Sequence, residues 1–184
     1  MITEAKIDFA RYDKTLYDKS DFDCGDPFLN EYILKYAGQQ QKKRITTVYV
    51  CSLQGARIPR NILGYYTLSA NSFSASEFPK TLLNNFPENY RIPTIKIGRI
   101  ARDVNKTRPG FGSVILGNAL HRALRMSDFI GALAIDVDAK NNRLVNFYLK
   151  QGFSRLNEES SCLVMPISTL AKTTQYSNEY AEMF

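Results

Sequence analysis

The apolar positions along the chain change their spacing several times, and each change predicts an element. A short strand-like stretch covers residues 5–9 and leads into a polar link. At Asp26-Pro27 a capping side chain meets a proline suited to a first helical turn. From there Phe28, Leu29, Tyr32, Ile33, Tyr36 and Ala37 recur at helical spacing, which predicts a helix to about Gln40, ended by the basic cluster Lys42, Lys43 and Arg44. Two β-rich stretches follow, 45–53 and 62–73, joined by a link containing Gly55 and Pro59 that reads as a hairpin connection. A Pro- and Asn-rich excursion over 78–93 interrupts the pattern. A third strand covers about 94–102, its register blurred because Lys96, Arg99 and Arg102 break the apolar series.

The strongest helix covers 110–127, where Leu116, Leu120, Ala123 and Leu124 form a stripe with Ile115 and Ala119 beside it. An apolar strand, 131–137, comes next, then an amphipathic helix over 141–151 stopped by Gly152. A closing strand pair is expected at 153–156 and 161–166, and a polar tail from Thr173. Strands first, then strand–helix–strand–helix–strand, predict an α/β (α+β) domain over 1–172 with a mixed sheet and helices packed on it.

Composition narrows the class only a little. The chain has 184 residues, enough for one domain with a proper core. Eleven Tyr and eleven Phe fill that core in the absence of Trp. No apolar run approaches the roughly 20 residues needed to cross a bilayer, and the opening residues lack the apolar stretch of a signal peptide, so a cytoplasmic protein is expected. Cys24, Cys51 and Cys162 are odd in number and widely spaced, which reads as free thiols and no metal cluster. The net charge of +6 tilts toward an anionic partner but is also ordinary for a small soluble domain.

Two stretches carry candidate chemistry. In 103–113, DVNKTRPGFGS, Gly110 and Gly112 stand at the start of the long helix. A helix N-terminus offers unpaired N–H donors and positive potential, the glycines admit a phosphate to the backbone, and Lys106 and Arg108 add charge. The turn reads equally well as a tight connection. It is no P-loop, since no Gly-Lys-Ser/Thr follows, and no dinucleotide fingerprint, since position 115 is isoleucine. In 141–153, NNRLVNFYLKQGF, Tyr148 lies late in a helix; alone it reads as an aromatic core residue, although a phenol can also donate a proton to a leaving thiolate. His121, the only histidine, is expected on the solvated face of the long helix near Arg122 and Arg125.

Together, in this order and separated by one strand, the two stretches resemble the GNAT superfamily of acyl-CoA-dependent N-acetyltransferases. Thr107, Gly110 and Gly112 fall at the marked positions of its Gln/Arg-x-x-Gly-x-Gly/Ala loop, with Thr107 where Gln or Arg is usual and Pro109 removing one donor. Asn141, Phe147, Tyr148, Gly152 and Phe153 match its second signature, with Leu144 in place of Ala. Arg102 stands where that strand usually has an apolar residue. A narrower resemblance, to TacT-like toxins of bacterial toxin–antitoxin pairs, rests on FDCGDPFLN (22–30), LGYYTLS (63–69), GRIARD (98–103) and the C-terminal signature.

The resemblance implies a GNAT fold, a mostly antiparallel sheet with a V-shaped splay, and acetyl-CoA as cosubstrate with no metal. It implies that backbone groups of Ile100, Ala101 and Arg102 run beside the pantetheine. Thr107, Arg108, Pro109, Gly110, Phe111, Gly112 and Ser113 would form the pyrophosphate turn, and Asn141 and Phe147 would line the pantetheine arm. Tyr148 would be the acid that protonates the thiolate. The acceptor implied is the α-amino group of aminoacyl-tRNA, so that the enzyme blocks translation. Lys42, Lys43, Arg44, Arg91 and Arg99 are then candidate nucleic-acid contacts. A ribbon–helix–helix antitoxin is the expected partner, a homodimer is left open, and no membrane association is expected. Two other readings stay open: acetylation of protein or small-molecule amines, and a non-catalytic acyl-CoA-binding module.

Overall fold

The structure is a computed structural model that describes residues 6–83, 86–158 and 160–173. The expected tail therefore lies outside the described residues from position 174 onward. The described residues form nine strands and five α-helices: β1 (Ile7–Arg11), β2 (Tyr17–Asp18), α1 (Pro27–Glu31), α2 (Ala37–Lys42), β3 (Thr47–Leu53), β4 (Arg60–Asn61), β5 (Gly64–Ser74), β6 (Arg91–Arg102), α3 (Phe111–Ser127), β7 (Ala134–Asp138), α4 (Asn142–Lys150), β8 (Ser154–Arg155), β9 (Cys162–Pro166) and α5 (Ile167–Lys172). Seven strands join in one mostly antiparallel sheet of order β1-β3-β5-β6-β7-β9-β8, in which β6 and β7 pair in parallel. By its contacts the chain divides into two compact units, Met1–Ser69 with Arg99–Ala119 and Ala70–Gly98 with Leu120–Phe184. Strands β5 and β6 and helix α3 each contribute residues to both.

In the first unit, Tyr12, Tyr17, Phe22, Tyr32, Ile33, Val48, Val50, Ile62, Tyr65 and Ala101 form the core. Its aromatic content explains how a Trp-free chain fills this volume, with Tyr32 stacked on Tyr65 and Phe22 edge-on to it. The first helix begins as expected: Asp26 accepts from the N–H groups of Phe28 and Leu29, and Pro27 opens the turn. It is not one continuous α-helix. A π-helical turn, Tyr32–Tyr36, separates α1 from α2. The wider turn takes an additional residue and rotates the apolar stripe out of register. Tyr32, Ile33 and Ala37 are buried, whereas Phe28 is 78% and Tyr36 44% exposed. The Lys19 ammonium donates to the carbonyls of Ile33 (3.0 Å) and Leu34 (2.7 Å) in this turn. The link after β3 is no simple hairpin connection, since β4 leaves it to pair in parallel with β2.

In the second unit, Ala75, Phe78, Ile92, Ala134, Leu156, Cys162 and Val164 pack together. β6 starts at Arg91, three residues before the apolar pattern suggests, and so contains Pro93, whose carbonyl accepts from the Leu133 N–H. β7 runs to Asp138 in register with β6, Thr94 facing Ala134 and Ile97 facing Val137. The closing pair is short on one side, with only Ser154 and Arg155 paired to β9, and α5 follows it where the sequence pattern signals nothing.

α3 buries Ile115, Leu116, Asn118, Ala119, Leu120 and Ala123 completely. His121 is also buried, at 6% exposure, so its expected solvated position is corrected. The buried face of α3 is wider than the stripe of large apolar residues marks, and it takes in Asn118 and His121.

Candidate active site

In the first unit, β6 leads into the glycine turn, and the path between them is held at several points. The Asp103 N–H donates to the Leu63 carbonyl (2.8 Å), and its fully buried carboxylate accepts from the N–H groups of Asn105 and Lys106, both at 2.9 Å. The Lys106 ammonium sits 2.8 Å from that carboxylate and 3.0 Å from Asp21. Lys106, expected to add charge for a phosphate, is thus neutralised by two carboxylates. The Arg102 guanidinium donates through Nη1 to both the carbonyl (3.0 Å) and the hydroxyl (3.1 Å) of Thr107. That hydroxyl in turn donates to the Asp103 carbonyl.

Beyond the clamp, Arg108, Pro109 and Gly110 are exposed. Gly110 has φ +91, a left-handed conformation that side chains disfavour. Gly112 does not share that conformation, and at both glycines a Cβ would meet nothing within 4 Å. Two of the expected donors are engaged within the turn, Phe111 N–H to the Arg108 carbonyl (3.3 Å) and Ser113 N–H to the Gly110 carbonyl (3.0 Å). Those of Arg108 and Gly110 make no such turn bond among the described residues. The start of a 17-residue helix, open space at Gly112 and an exposed Arg108 fit an anionic phosphate. A cleft of about 800 Å³ adjoins the turn, lined in part by Ile7, Leu53, Leu63, Arg108, Phe111 and Val114. On β6, Ile100 is half-buried and Ala101 faces the core.

The cationic candidates separate. The Arg99 guanidinium lies 3.8 Å from the centroid of the Tyr32 ring, and the Arg99 backbone N–H donates to the Thr67 hydroxyl (3.0 Å). Lys42, Lys43 and Arg44 are exposed at the C-terminal end of α2, where positive charge complements the helix dipole. Lys42 also lines a cleft of about 500 Å³ with Lys14, Lys19 and Lys35, a cationic grouping dispersed in the sequence. Arg91, in the second unit, is exposed and donates to the hydroxyl and carbonyl of Ser72.

In the second unit, Asn141 caps α4, its side-chain oxygen accepting from the Leu144 N–H (3.0 Å). Tyr148 is buried at 3% exposure, its ring edge-on to Phe147 (5.2 Å) and Phe153 (5.4 Å). Burial, with a smaller contribution from the Asp138 charge, pushes its phenol up to about 12. The phenol therefore stays protonated throughout the neutral range.

A polar cluster in this unit escaped the sequence reading. The fully buried Asp136 carboxylate accepts from the Thr94 hydroxyl (2.7 Å) and the Asn71 amide (3.1 Å). The Lys96 ammonium lies 3.4 Å from it and 2.5 Å from Asp138. The three cations that blurred the register of β6 each have a local partner: Lys96 the two aspartates, Arg99 the Tyr32 ring, Arg102 the Thr107 loop. Alternation of Asp136 and Asp138 opposite Lys96 was the signal available. Among the described residues no group of three His, Cys, Asp or Glu side chains is placed to hold a metal ion, and no helix is long and apolar enough to cross a membrane.

No family profile matches the chain. A curated relative from Mycobacterium tuberculosis, described as a tRNA-acetylating toxin, is 28% identical over 136 residues, covering 74% of this chain and 78% of the relative. The solved structure of AtaT complexed with acetyl-methionyl-tRNAfMet superposes with a TM-score of 0.81 at 26% identity, covering 90% of this chain and 98% of that one. AtaTR bound with acetyl-CoA superposes with a TM-score of 0.77 at 26% identity, over 90% and 96% of the two chains. In sequence and in fold the chain is similar to the tRNA-acetylating toxins, and its architecture is that of the GNAT acetyltransferases.

Proposed function

We propose that the protein is an acetyl-CoA-dependent N-acetyltransferase that modifies the α-amino group of aminoacyl-tRNA and so acts as a toxin of translation. The observation that carries this reading is the similarity, over nine-tenths of the chain, to a structure whose bound molecule is the acetylated product on tRNA. The glycine turn supports it with a phosphate-compatible helix start. In this reading the turn from Thr107 to Ser113 holds the donor's pyrophosphate, Ile100, Ala101 and Arg102 offer backbone groups to its pantetheine, and Asn141 and Phe147 line that arm.

The reaction joins the acceptor nitrogen to the thioester carbonyl carbon and breaks the carbon–sulfur bond. Net, the proton lost by nitrogen ends on sulfur. Tyr148 is the proposed donor to that sulfur. A phenol held near 12 lies well above a thiol at roughly 8.5, so it gives a hydrogen bond to the developing thiolate before it gives up a proton. An α-amino group with a pKa of roughly 8 is neutral in about a fifth to a third of molecules at physiological pH, so a nucleophilic form is available without a strong base. Acetylation ties up its lone pair, and such an aminoacyl end cannot serve as the nucleophile of peptide-bond formation. A cytoplasmic enzyme of this kind requires restraint, and a ribbon–helix–helix antitoxin is the proposed partner.

The test is acetyl transfer from labelled acetyl-CoA to charged tRNA, peptides and polyamines offered in parallel. Preferential labelling of charged tRNA supports the reading. Equal or better labelling of peptides or polyamines replaces it with a general amine acetyltransferase, and donor binding without transfer leaves a binding module.

A further inference from the structure

We infer that the Arg102 side chain positions the donor turn, acting through Thr107 rather than touching the donor itself. This rests on the reading of 107–113 as the acetyl-CoA turn and deepens it. Two sequence oddities meet here: an arginine in a strand of apolar character and a threonine at the first position of the loop motif. In the structure they are bonded to each other. Nη1 of Arg102 reaches both the carbonyl and the hydroxyl of Thr107, and that hydroxyl passes the link to the Asp103 carbonyl. The buried Asp103 carboxylate accepts from the backbone N–H groups of Asp23, Asn105 and Lys106 and from the Lys106 ammonium, which also pairs with Asp21, and the neighbouring Val104 N–H donates to the Asp23 carbonyl (2.8 Å).

Residues 102–107 thus form a closed hydrogen-bonded frame, whereas Arg108, Pro109 and Gly110 immediately after it are exposed. A turn that must present backbone N–H groups to a phosphate gains affinity from being fixed before the ligand arrives, because less ordering remains for binding to impose. Charge-assisted bonds are the stronger class, which suits a guanidinium at the head of the frame. The Thr107 hydroxyl is its central joint, accepting from Arg102 and donating to Asp103.

The test measures acetyl-CoA affinity by calorimetry and steady-state kinetics for wild type, Arg102→Leu, Thr107→Val and Thr107→Ser, each first shown to unfold near the wild-type temperature. Arg102→Leu and Thr107→Val should both weaken donor binding by about tenfold, the scale of one charge-assisted hydrogen bond. The loss should appear in KM for acetyl-CoA and far less in kcat, and Thr107→Ser should restore it. Loss in Arg102→Leu alone, with Thr107→Val binding normally, would overturn the Thr107 hydroxyl as the joint through which Arg102 acts. Normal binding in both variants would remove the role altogether. Absence of acetyl-CoA binding in the wild type would instead sink the donor-turn reading, a separate outcome.

Discussion

Tyr148→Phe removes one hydroxyl from a ring already packed against Phe147 and Phe153, so fold and donor affinity should persist while acetyl transfer falls by about 10²-fold, the scale of general acid catalysis. Unchanged kcat in this variant would remove Tyr148 from the chemistry. The raised phenol also bears on the expected pH dependence. Its folded-state pKa is raised to about 12, so the protonated form is the one the fold favours. The associated stability is complete below about pH 10 and is lost only as pH rises toward 12. Activity should rise with deprotonation of the acceptor amine near pH 8 and show no fall from Tyr148 ionisation below about pH 10. At this scale the sequence was legible only in part. Helical spacing alone made Tyr148 a core aromatic, which it also is; its signature neighbours Phe147, Gly152 and Phe153 suggested chemistry. His121 was misread because periodicity counts apolar residues and is silent about a polar residue buried beside them.

The glycine turn is an element whose two glycines do different work. A Cβ at either glycine would project into open space, and only Gly110 has a left-handed backbone. Gly112→Asp should therefore fold with near-normal thermal stability yet lose acetyl-CoA affinity severely, since it puts a negative charge at a helix start that the donor phosphates would occupy. Wild-type affinity by calorimetry would show the turn to be structural only. The long helix and the strands around it were legible because 3.6-residue and two-residue periods persist over many positions. The π-helical turn was not, because one additional residue in a turn leaves composition and local spacing nearly intact; its mark is the exposure of Phe28 and Tyr36. α5 was missed for the opposite reason, being too short to show a period. The Arg102–Thr107 clamp was invisible because a side chain bonded across five positions leaves no pattern in hydropathy.

For the molecule as a whole, a net charge of +6 suits a polyanionic acceptor without identifying it, and it is the arrangement of charge that can be tested. Lys42, Lys43 and Arg44 are exposed together at the end of α2, whereas Arg99 is stacked on Tyr32 and Lys106 is held by two aspartates. Reversing Lys43 and Arg44 together to glutamate should weaken binding of charged tRNA and flatten its salt dependence, because each lost phosphate contact lowers the slope of affinity against salt by roughly 0.9. A salt slope that survives the double reversal would place the contact surface elsewhere. The central claim is that an α-amino group on tRNA receives the acetyl group, and one measurement reaches it directly. Purified protein is incubated with acetyl-CoA and charged tRNA, the terminal aminoacyl-adenosine is released by nuclease, and its mass is determined, with Tyr148→Phe in parallel. The expected result is an aminoacyl-adenosine heavier by one acetyl group on the amine with wild type and a greatly reduced amount with Tyr148→Phe. Unmodified aminoacyl-adenosine from a wild-type protein that binds acetyl-CoA would contradict the assignment.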